Sequence, residues 1–277
     1  MIVDFHTHAF PDELAERAIL YLEEEGDIKA FLDGKISSLL RSMDRAGVNA
    51  SVVASITTKP GQFKSILAWS ETIASDRIIP FPSVHPYDPS AVDQVTEVKK
   101  AGFCGIKMHP YYQNFFLDEE RLQPIMNRIQ QEGLILLLHT GYDLAFERIK
   151  KADPARVLST ISKFPELKLV TSHFGGWEDW DDVERLLVGR KIYMDTSHSM
   201  PFIGKERAQR FLNLHPAEYS LFGTDSPWDD QLSDRELIKQ MALDPEREKL
   251  LMGENACRLL GLHPVCTDRT GGAFKGK

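Results

Sequence analysis

Two histidines, His6 and His8, stand one residue apart near the N-terminus, at the end of an apolar run. Residues 2–5 of that run have the character of a β-strand, and residues i and i+2 of a strand point to the same face. The two imidazoles would therefore project side by side, and imidazole is the commonest side-chain ligand of metals. The pair indicates half of a metal site, although two unrelated histidines at the end of a surface strand would give the same spacing.

The rest of the chain repeats a pattern in which an apolar run is followed by a helical segment. The runs cover residues 2–5, 50–56, 78–84, 103–108, 134–138, 167–171, 192–195 and 219–223. The continuous apolar run at residues 134–138 is typical of a parallel strand that is buried on both faces. Eight β/α units predict an α/β fold, a (β/α)8 TIM barrel with extra C-terminal helices at residues 233–260.

A doubly wound open sheet is the competing architecture. It usually needs fewer strands, and the Gly-x-Gly-x-x-Gly motif is absent after the first run. We predict a single barrel domain at residues 1–262 and a loose tail at residues 263–277.

The segment at residues 9–36 is longer than a minimal barrel loop. It would form either a lid over the site or a plain surface helix, and we favour the helix.

The active site of such a barrel lies at the C-terminal ends of the strands, where histidines and acids fall in this chain. His139 closes the run at residues 134–138 and would reach a metal there, unless it is a core histidine bonded to a backbone carbonyl. Asp225 follows the last run, where a carboxylate is costly without a cation, unless it caps a helix. With His6 and His8, these side chains offer three nitrogens and one oxygen. That set suits one Zn²⁺, or Mn²⁺ or Fe²⁺, and a bound water would become a nucleophile.

Two further side chains leave alternatives open. His173 could be a fifth ligand, could shuttle protons beside the bound water, or could be structural, and Gly175 and Gly176 beside it predict a close backbone approach to a ligand. Lys107 could bridge two metal ions after carbamylation by CO₂, could bind a substrate carboxylate as an ammonium, or could pair with a nearby acid. Three other side chains are placed to line the pocket, through substrate contact or ordinary rim packing: His109, His198 and Trp228.

Composition narrows the classes of partner. The net charge of −8, with no basic run, argues against nucleic acid. No apolar run approaches the length of a membrane span, and the N-terminus lacks the pattern of a signal peptide. Three scattered cysteines, Cys104, Cys257 and Cys266, with no C-x-x-C pair, favour a reduced, cytoplasmic setting. We expect a small-molecule substrate. The oligomeric state stays open, and a homodimer is compatible with the sequence.

The motifs as a set resemble the amidohydrolase superfamily, and more closely its amidohydrolase-related branch of aminocarboxymuconate-semialdehyde decarboxylase-like enzymes. The likeness spans residues 1 to about 262, and its signatures lie at residues 4–8, 105–110, 138–141, 172–176, 222–228 and 252–262. It implies a distorted barrel with one Zn²⁺ or similar ion on the His6, His8, His139 and Asp225 set. It also implies that His173 is the acid/base partner near the metal-bound water.

The branch contains hydrolases and non-oxidative decarboxylases, so the resemblance leaves the reaction open. We expect a metal-dependent hydrolase that acts on a C–N or C–O bond of a small carboxylated or cyclic substrate. In that reaction Asp225 and His173 would move protons, and Lys107 with His109 would bind the acidic end. The alternatives are a metal-dependent decarboxylase of an unsaturated acid and, from another class, a barrel that has lost catalysis and serves as a binding module.

Overall fold

A computed structural model describes residues 1–262, in which parallel β-strands alternate with helices along the chain. The strands are β1 (Val3–Thr7), β2 (Ala50–Ala54), β3 (Ile78–Phe81), β4 (Gly105–Met108), β5 (Ile135–Leu138), β6 (Lys168–Thr171), β7 (Tyr193–Asp195) and β8 (Ser220–Leu221). They form two sheets, with strand orders β1-β2-β3 and β4-β5-β6-β7-β8, and every neighbouring pair is parallel.

Backbone hydrogen bonds join the two sheets at both seams. Between β3 and β4, Lys107 N donates to Pro82 O over 2.9 Å, and between the first and last strands Phe5 N donates to Phe222 O over 2.8 Å. Each seam is narrower than the ladders inside the sheets, so the ring of strands is uneven. This is the distorted (β/α)8 barrel that the sequence predicts.

The helices surround the strands and continue beyond the last one. They are α1 (Asp12–Gly26), α2 (Ile36–Ala46), α3 (Phe63–Ile73), α4 (Ala91–Lys100), α5 (Leu122–Gln131), α6 (Pro154–Lys163), α7 (Trp180–Leu186), α8 (Met200–Ile203), α9 (Lys205–Leu214), α10 (Gln231–Gln240), α11 (Pro245–Lys249) and α12 (Asn255–Leu260). The carboxylate of Asp153 caps α6 by accepting from the first backbone N–H groups of that helix. The extra C-terminal helices that the sequence predicts are α10 to α12.

Apolar side chains inside the ring form the floor beneath the barrel mouth. Phe5 and Phe81 meet edge to face with ring centroids 5.9 Å apart, and Leu137 is fully buried with them. The floor has space for the Phe81 ring because Gly105 carries no side chain; a Cβ there would lie 2.3 Å from that ring. The polar residues of the barrel interior therefore stand on a closely packed apolar base.

An irregularity in the first strand aims its histidine at the barrel mouth. The register of β1 against β2 shifts between Asp4 and Thr7, and such irregularities commonly re-aim side chains beside active sites. Phe5 stays in the apolar floor while His6, the next residue, projects into the polar site. Simple alternation along the strand would have sent these two neighbours to opposite faces.

None of the helices within residues 1–262 combines the length and apolar character needed to cross a lipid bilayer. The single domain predicted at residues 1–262 stays a prediction. The tail predicted at residues 263–277 lies outside the described residues.

Candidate metal centre

Three of the predicted metal ligands converge at the mouth of the barrel. The Nε2 atoms of His6 and His8 lie 3.2 Å and 3.1 Å from Oδ1 of Asp225. The ligand atoms of the three residues all lie within 4.8 Å of one another. The segment after the last strand is tied to the first strand in this arrangement, because Asp225 N donates to the carbonyl oxygen of His6 over 2.8 Å.

Hydrogen bonds on the far side of each ring orient the two histidines. His6 Nδ1 lies 3.0 Å from Oδ2 of Asp195, and His8 Nδ1 lies 2.8 Å from the carbonyl oxygen of Ala54. Because both partners are acceptors, each Nδ1 carries the proton and each Nε2 keeps a lone pair. A carboxylate or carbonyl behind the ring is the usual support of a metal-binding histidine.

The converging atoms fit a cation. The two Nε2 lone pairs face Oδ1 of Asp225, and within residues 1–262 this buried oxygen accepts no hydrogen bond. Burial would raise the pKa of the Asp225 carboxyl, but the imidazoles of His6 and His8 hold that pKa well below its usual range. A buried carboxylate beside two acceptors is costly unless positive charge lies among them. The donor set therefore suits a divalent metal ion.

His139, the fourth predicted ligand, does not join this group. Its Nε2 donates to the carbonyl oxygen of Tyr142 over 2.9 Å, and its ring stacks on His109 with centroids 4.0 Å apart. The residues whose ligand atoms cluster with it are His109 and Asp143. A backbone carbonyl thus satisfies Nε2 of this histidine, and its role as a fourth metal ligand stays a prediction.

The other nitrogen of His139, Nδ1, nevertheless contacts His173, which is a predicted residue of the site. His139 Nδ1 and His173 Nε2 lie 3.1 Å apart, and His173 Nδ1 donates to the carbonyl oxygen of Ser197 over 2.9 Å. Both facing nitrogens therefore keep lone pairs. Burial lowers the pKa of His173 to about 4 and that of His139 well below its ordinary value. Neither ring is therefore readily protonated, and no N–H group lies between the two facing nitrogens. This contact too favours a cation nearby.

Strained backbone accompanies the predicted site residues. The φ angles of His173, His198 and Asp225 are 60°, 46° and 64°, in the left-handed region that residues other than glycine rarely adopt. Each such residue costs on the order of 1–3 kcal/mol, and strain of this kind concentrates at functional sites. The surrounding hydrogen bonds hold these residues in place; Asp195 Oδ1, for example, accepts from His173 N over 3.0 Å.

Lys107 lies at the centre of the site. Its side chain is fully buried, and its Nζ is 2.9 Å from Nε2 of His6, the atom that a metal would use. Burial lowers the pKa of its amine to about 8, against the opposing charges of Asp225 and Asp195. Within residues 1–262 Lys107 forms no ion pair with a carboxylate, so pairing with a nearby acid is not what the structure shows. A carbamylated lysine and a substrate-binding ammonium both stay open.

The three predicted lining residues border a cavity of about 660 Å³. His109 is buried, with Nε2 3.3 Å from Oδ2 of Asp143. His198 Nδ1 lies 3.0 Å from Oδ2 of Asp229; although burial lowers the pKa of His198, this carboxylate raises it above its ordinary value. Trp228 borders the same cavity. All three therefore lie where substrate contact requires them.

Two supporting residues were not assigned from the sequence. Asp195 is fully buried and accepts from His6 through Oδ2 and from Ser197 N, over 3.1 Å, through Oδ1. The signal for it was present, since it ends an apolar run as Asp225 does, but its position gives no hint of the residue that it supports. Asp143 follows β5 in a loop and carries no pattern that would single it out.

The glycine pair after His173 packs against a helix. A Cβ on Gly175 or Gly176 would lie 3.1 Å or 3.2 Å from the side chain of Val183 in α7. These glycines therefore allow α7 to pack closely, and their approach to a ligand stays a prediction. At Gly141 the approach of another backbone segment is closer still, because a Cβ there would lie 2.0 Å from the nitrogen of Trp177.

Helix α1 lies in the segment before the second strand and forms one wall of the cavity. Within this helix only Ala15 and Ile19 are buried, as in a surface helix. Five side chains of the helix border the cavity, so both the surface helix and the lid stay compatible with the structure. These side chains are those of Leu14, Arg17, Ala18, Tyr21 and Leu22.

Comparisons with known proteins agree with this geometry. A family profile described as amidohydrolase matches residues 3–262. A dihydroorotase from Marinomonas sp. (strain MWYL1) is 25% identical over 153 residues, which are 50% of this chain and 43% of the relative. The chain thus spans about half the length of the curated relatives it matches.

Several solved structures share the fold across nearly their whole length. An uncharacterised TIM-barrel protein from Bordetella bronchiseptica superposes with a TM-score of 0.74 at 17% identity, covering 94% of this chain and 98% of that one. A 2,6-dihydroxybenzoate decarboxylase complexed with 2,6-dihydroxybenzoate gives 0.72 at 16% identity, covering 94% and 98%. A probable 2-pyrone-4,6-dicarboxylic acid hydrolase from Acinetobacter baumannii gives 0.67 at 15% identity, covering 94% and 99%. These likenesses confirm the TIM-barrel prediction.

Proposed function

The chain belongs to the amidohydrolase family, and from this premise we propose that it is a metal-dependent hydrolase acting on a C–N or C–O bond. His6, His8 and Asp225 would hold one ion per chain, with Zn²⁺ as the proposed metal and Mn²⁺ or Fe²⁺ as alternatives. The convergence of three unprotonated donor atoms carries this proposal. When bound, the ion would supply Lewis acidity to a water molecule and to the substrate carbonyl.

We assign proton transfer to His173 and Asp225. The hydrogen bond from His173 Nδ1 to Ser197 leaves Nε2 as the atom that takes and returns a proton. The low pKa of that ring favours rapid return of the proton to a leaving group. Asp225 stays ionised near neutral pH, and with Oδ1 directed at the metal its other oxygen, Oδ2, would accept a proton from water.

His139 is the proposed fourth ligand. This role requires its ring to turn away from the carbonyl of Tyr142, with loss of the 2.9 Å hydrogen bond. A typical hydrogen bond contributes only about 0.5–1.5 kcal/mol to stability, and a new metal–nitrogen bond would replace it. His139 already lies beside the site, since its Nδ1 is 3.1 Å from Nε2 of His173, and this proximity supports the assignment.

The substrate's acidic group is assigned to Lys107 and His109, and the cavity wall to His198 and Trp228. Lys107 supports this assignment because its amine is a buried cation without a carboxylate partner in the described residues. A substrate carboxylate would supply the missing charge at the inner end of the cavity.

A decarboxylase of an unsaturated carboxylic acid is the second candidate. The same unpaired Lys107 favours it, because the amine would hold a carboxylate directly beside the metal ligands. His173, which is neutral near pH 7 because burial lowers its pKa to about 4, would then relay a proton from water to the carbon atom that loses CO₂. The 2,6-dihydroxybenzoate decarboxylase with this fold gives the candidate added support.

A substrate screen tests both candidates. Protein loaded with Zn²⁺ or Mn²⁺ would be incubated with lactones, amides and unsaturated carboxylic acids, and products and released CO₂ would be measured by mass spectrometry. Asp225→Asn should abolish turnover in either reaction. Asp181→Asn is the matched control, because the side chain of Asp181 is 91% exposed on the surface. Wild-type turnover by the Asp225→Asn variant would contradict both reactions.

Four further properties complete the proposal. Residues 1–262 would form one domain, the protein would work in the cytoplasm, and it would assemble as a homodimer without nucleic-acid partners. The cytoplasmic setting is supported by Cys104 and Cys257, which are both free thiols. Light scattering coupled to size-exclusion chromatography would measure the assembly, and a monomer at micromolar concentration would overturn the dimer.

A further inference from the structure

The cavity is larger than the polar cluster at its base requires. Its volume of about 660 Å³ lies inside the range of roughly 300–1,000 Å³ that is typical of pockets for drug-sized ligands. The ionisable groups of the site gather around His6, Lys107 and Asp225, which are all buried. The rest of the volume extends from this inner end toward α1 and α3.

Helix α1 contributes one apolar wall that its own packing does not explain. Ala15 and Ile19 face the protein core and are buried. A second set, Leu14, Ala18 and Leu22, repeats at i, i+4 and i+8, so it forms a separate stripe along the helix. All three members of that stripe border the cavity, and Leu14 is 40% exposed. The helix is therefore apolar on a face that no core residue covers.

Helix α3 provides the second apolar wall. Ile66 and Trp69, three residues apart and so on one face of the helix, both border the cavity. The polar side chains beside them already have partners: Gln62 Oε1 accepts from Lys59 N over 2.9 Å, and Ser65 Oγ donates to Gln62 O over 2.8 Å. This wall of the cavity therefore offers apolar surface from Ile66 and Trp69 beside a few polar side chains.

We propose that the substrate is amphipathic, with a polar reacting group at the metal centre and an apolar body between α1 and α3. The inference rests on the proposed function for the reacting group, and it adds an apolar body to the small carboxylated or cyclic substrate that the sequence suggests. The two parts of such a substrate would lie in one continuous cavity, because His6 and Asp225 line the same cavity as the apolar walls. Filling it would cover Leu14 and Tyr21, which are 40% and 56% exposed.

Binding of straight-chain carboxylates to the metal-free protein tests the proposal. Butanoate, hexanoate and octanoate would be titrated by calorimetry. Full burial of each added methylene raises affinity about fourfold. Octanoate should therefore bind at least tenfold more tightly than butanoate. Equal affinities for the three acids would overturn the apolar subsite.

Adjacent residues of α1 supply a matched pair of variants. Tyr21 borders the cavity, whereas Leu20, which is 59% exposed, does not. Tyr21→Ala should lower the ratio of octanoate to butanoate affinity at least threefold, and Leu20→Ala should leave the ratio unchanged. Trp69→Ala gives the same test from the opposite wall, should Tyr21→Ala fail to fold. Equal effects of Tyr21→Ala and Leu20→Ala would overturn the assignment of the wall.

The design separates this inference from the proposed reaction. The titrations use no metal and no turnover, so a wrong metal or a wrong reaction would leave the dependence on chain length intact. Conversely, an active enzyme whose carboxylate affinity ignores chain length would keep the proposed function and remove the apolar subsite.

Discussion

Replacing Asp195 by asparagine should weaken metal binding although Asp195 is not a proposed ligand. Oδ2 of Asp195 accepts from His6 Nδ1 over 3.0 Å, and Oδ1 accepts from the backbone nitrogens of His173 and Ser197 over 3.0 Å and 3.1 Å. An asparagine amide in this place must turn its NH₂ toward one of these two sets of donors. The variant thus keeps the shape of the side chain and loses one acceptor.

The loss acts on the proton of His6. If the amide oxygen keeps the backbone donors of His173 and Ser197, its NH₂ faces the Nδ1–H of His6. The repulsion is relieved by moving the imidazole proton to Nε2, which removes the lone pair aimed at the metal. Loss of such a supporting partner typically lowers metal affinity 10–100-fold, or about 1.4–2.7 kcal/mol.

Competition with a colorimetric chelator would measure the Zn²⁺ affinity of Asp195→Asn, wild-type protein and the surface control Asp181→Asn. Thermal unfolding of the metal-free proteins would show that the variant is folded at the assay temperature. The control should match the wild type. A folded Asp195→Asn variant that binds Zn²⁺ within twofold of the wild type would refute the role given to the hydrogen bond between His6 and Asp195.

Three other expectations follow from single contacts. Lys107→Met should leave Zn²⁺ affinity equal or higher, because it frees His6 Nε2, and should raise KM for carboxylate substrates; weaker metal binding would instead point to a carbamylated lysine. The raised pKa of His198 means that its ion pair with Asp229 stabilises the fold fully at low pH and less as the pH rises through that pKa. Asp229→Asn should therefore flatten the decline of unfolding free energy between pH 6 and 9, measured by urea denaturation, and an unchanged slope would contradict the pairing. Gly105→Ala should cost about 1–3 kcal/mol of unfolding free energy, since its Cβ would meet the Phe81 ring, and a neutral effect by the same assay would show that the ring can move.

The sequence predicts the fold well because a parallel strand that is buried on both faces appears in it as a continuous apolar run. The run that contains β5 is apolar at every position, and His139 marks its end as a polar residue must at the barrel mouth. The spacing of His6 and His8 likewise predicts their shared direction. Their convergence with Asp225 follows from the topology, since the last strand of a closed barrel lies beside the first.

Other features depend on tertiary contacts that no sequence pattern records. The orientation of His139 is decided by the backbone carbonyl oxygen of Tyr142. Because every residue has a backbone carbonyl, the sequence does not mark this one. The role of Asp195 depends on its hydrogen bond to His6, which is 189 positions away along the chain. The two apolar stripes of α1 read as one amphipathic helix until the structure shows that one stripe borders a cavity. In each case the deciding partner is distant or chemically ordinary.

An anomalous difference map from crystals grown with zinc tests the metal centre most directly. The arrangement predicts one strong peak per chain, roughly 2.0–2.2 Å from Nε2 of His6, Nε2 of His8 and Oδ1 of Asp225. A map without a peak among these three atoms, while zinc is present at saturating concentration, would contradict the proposed centre.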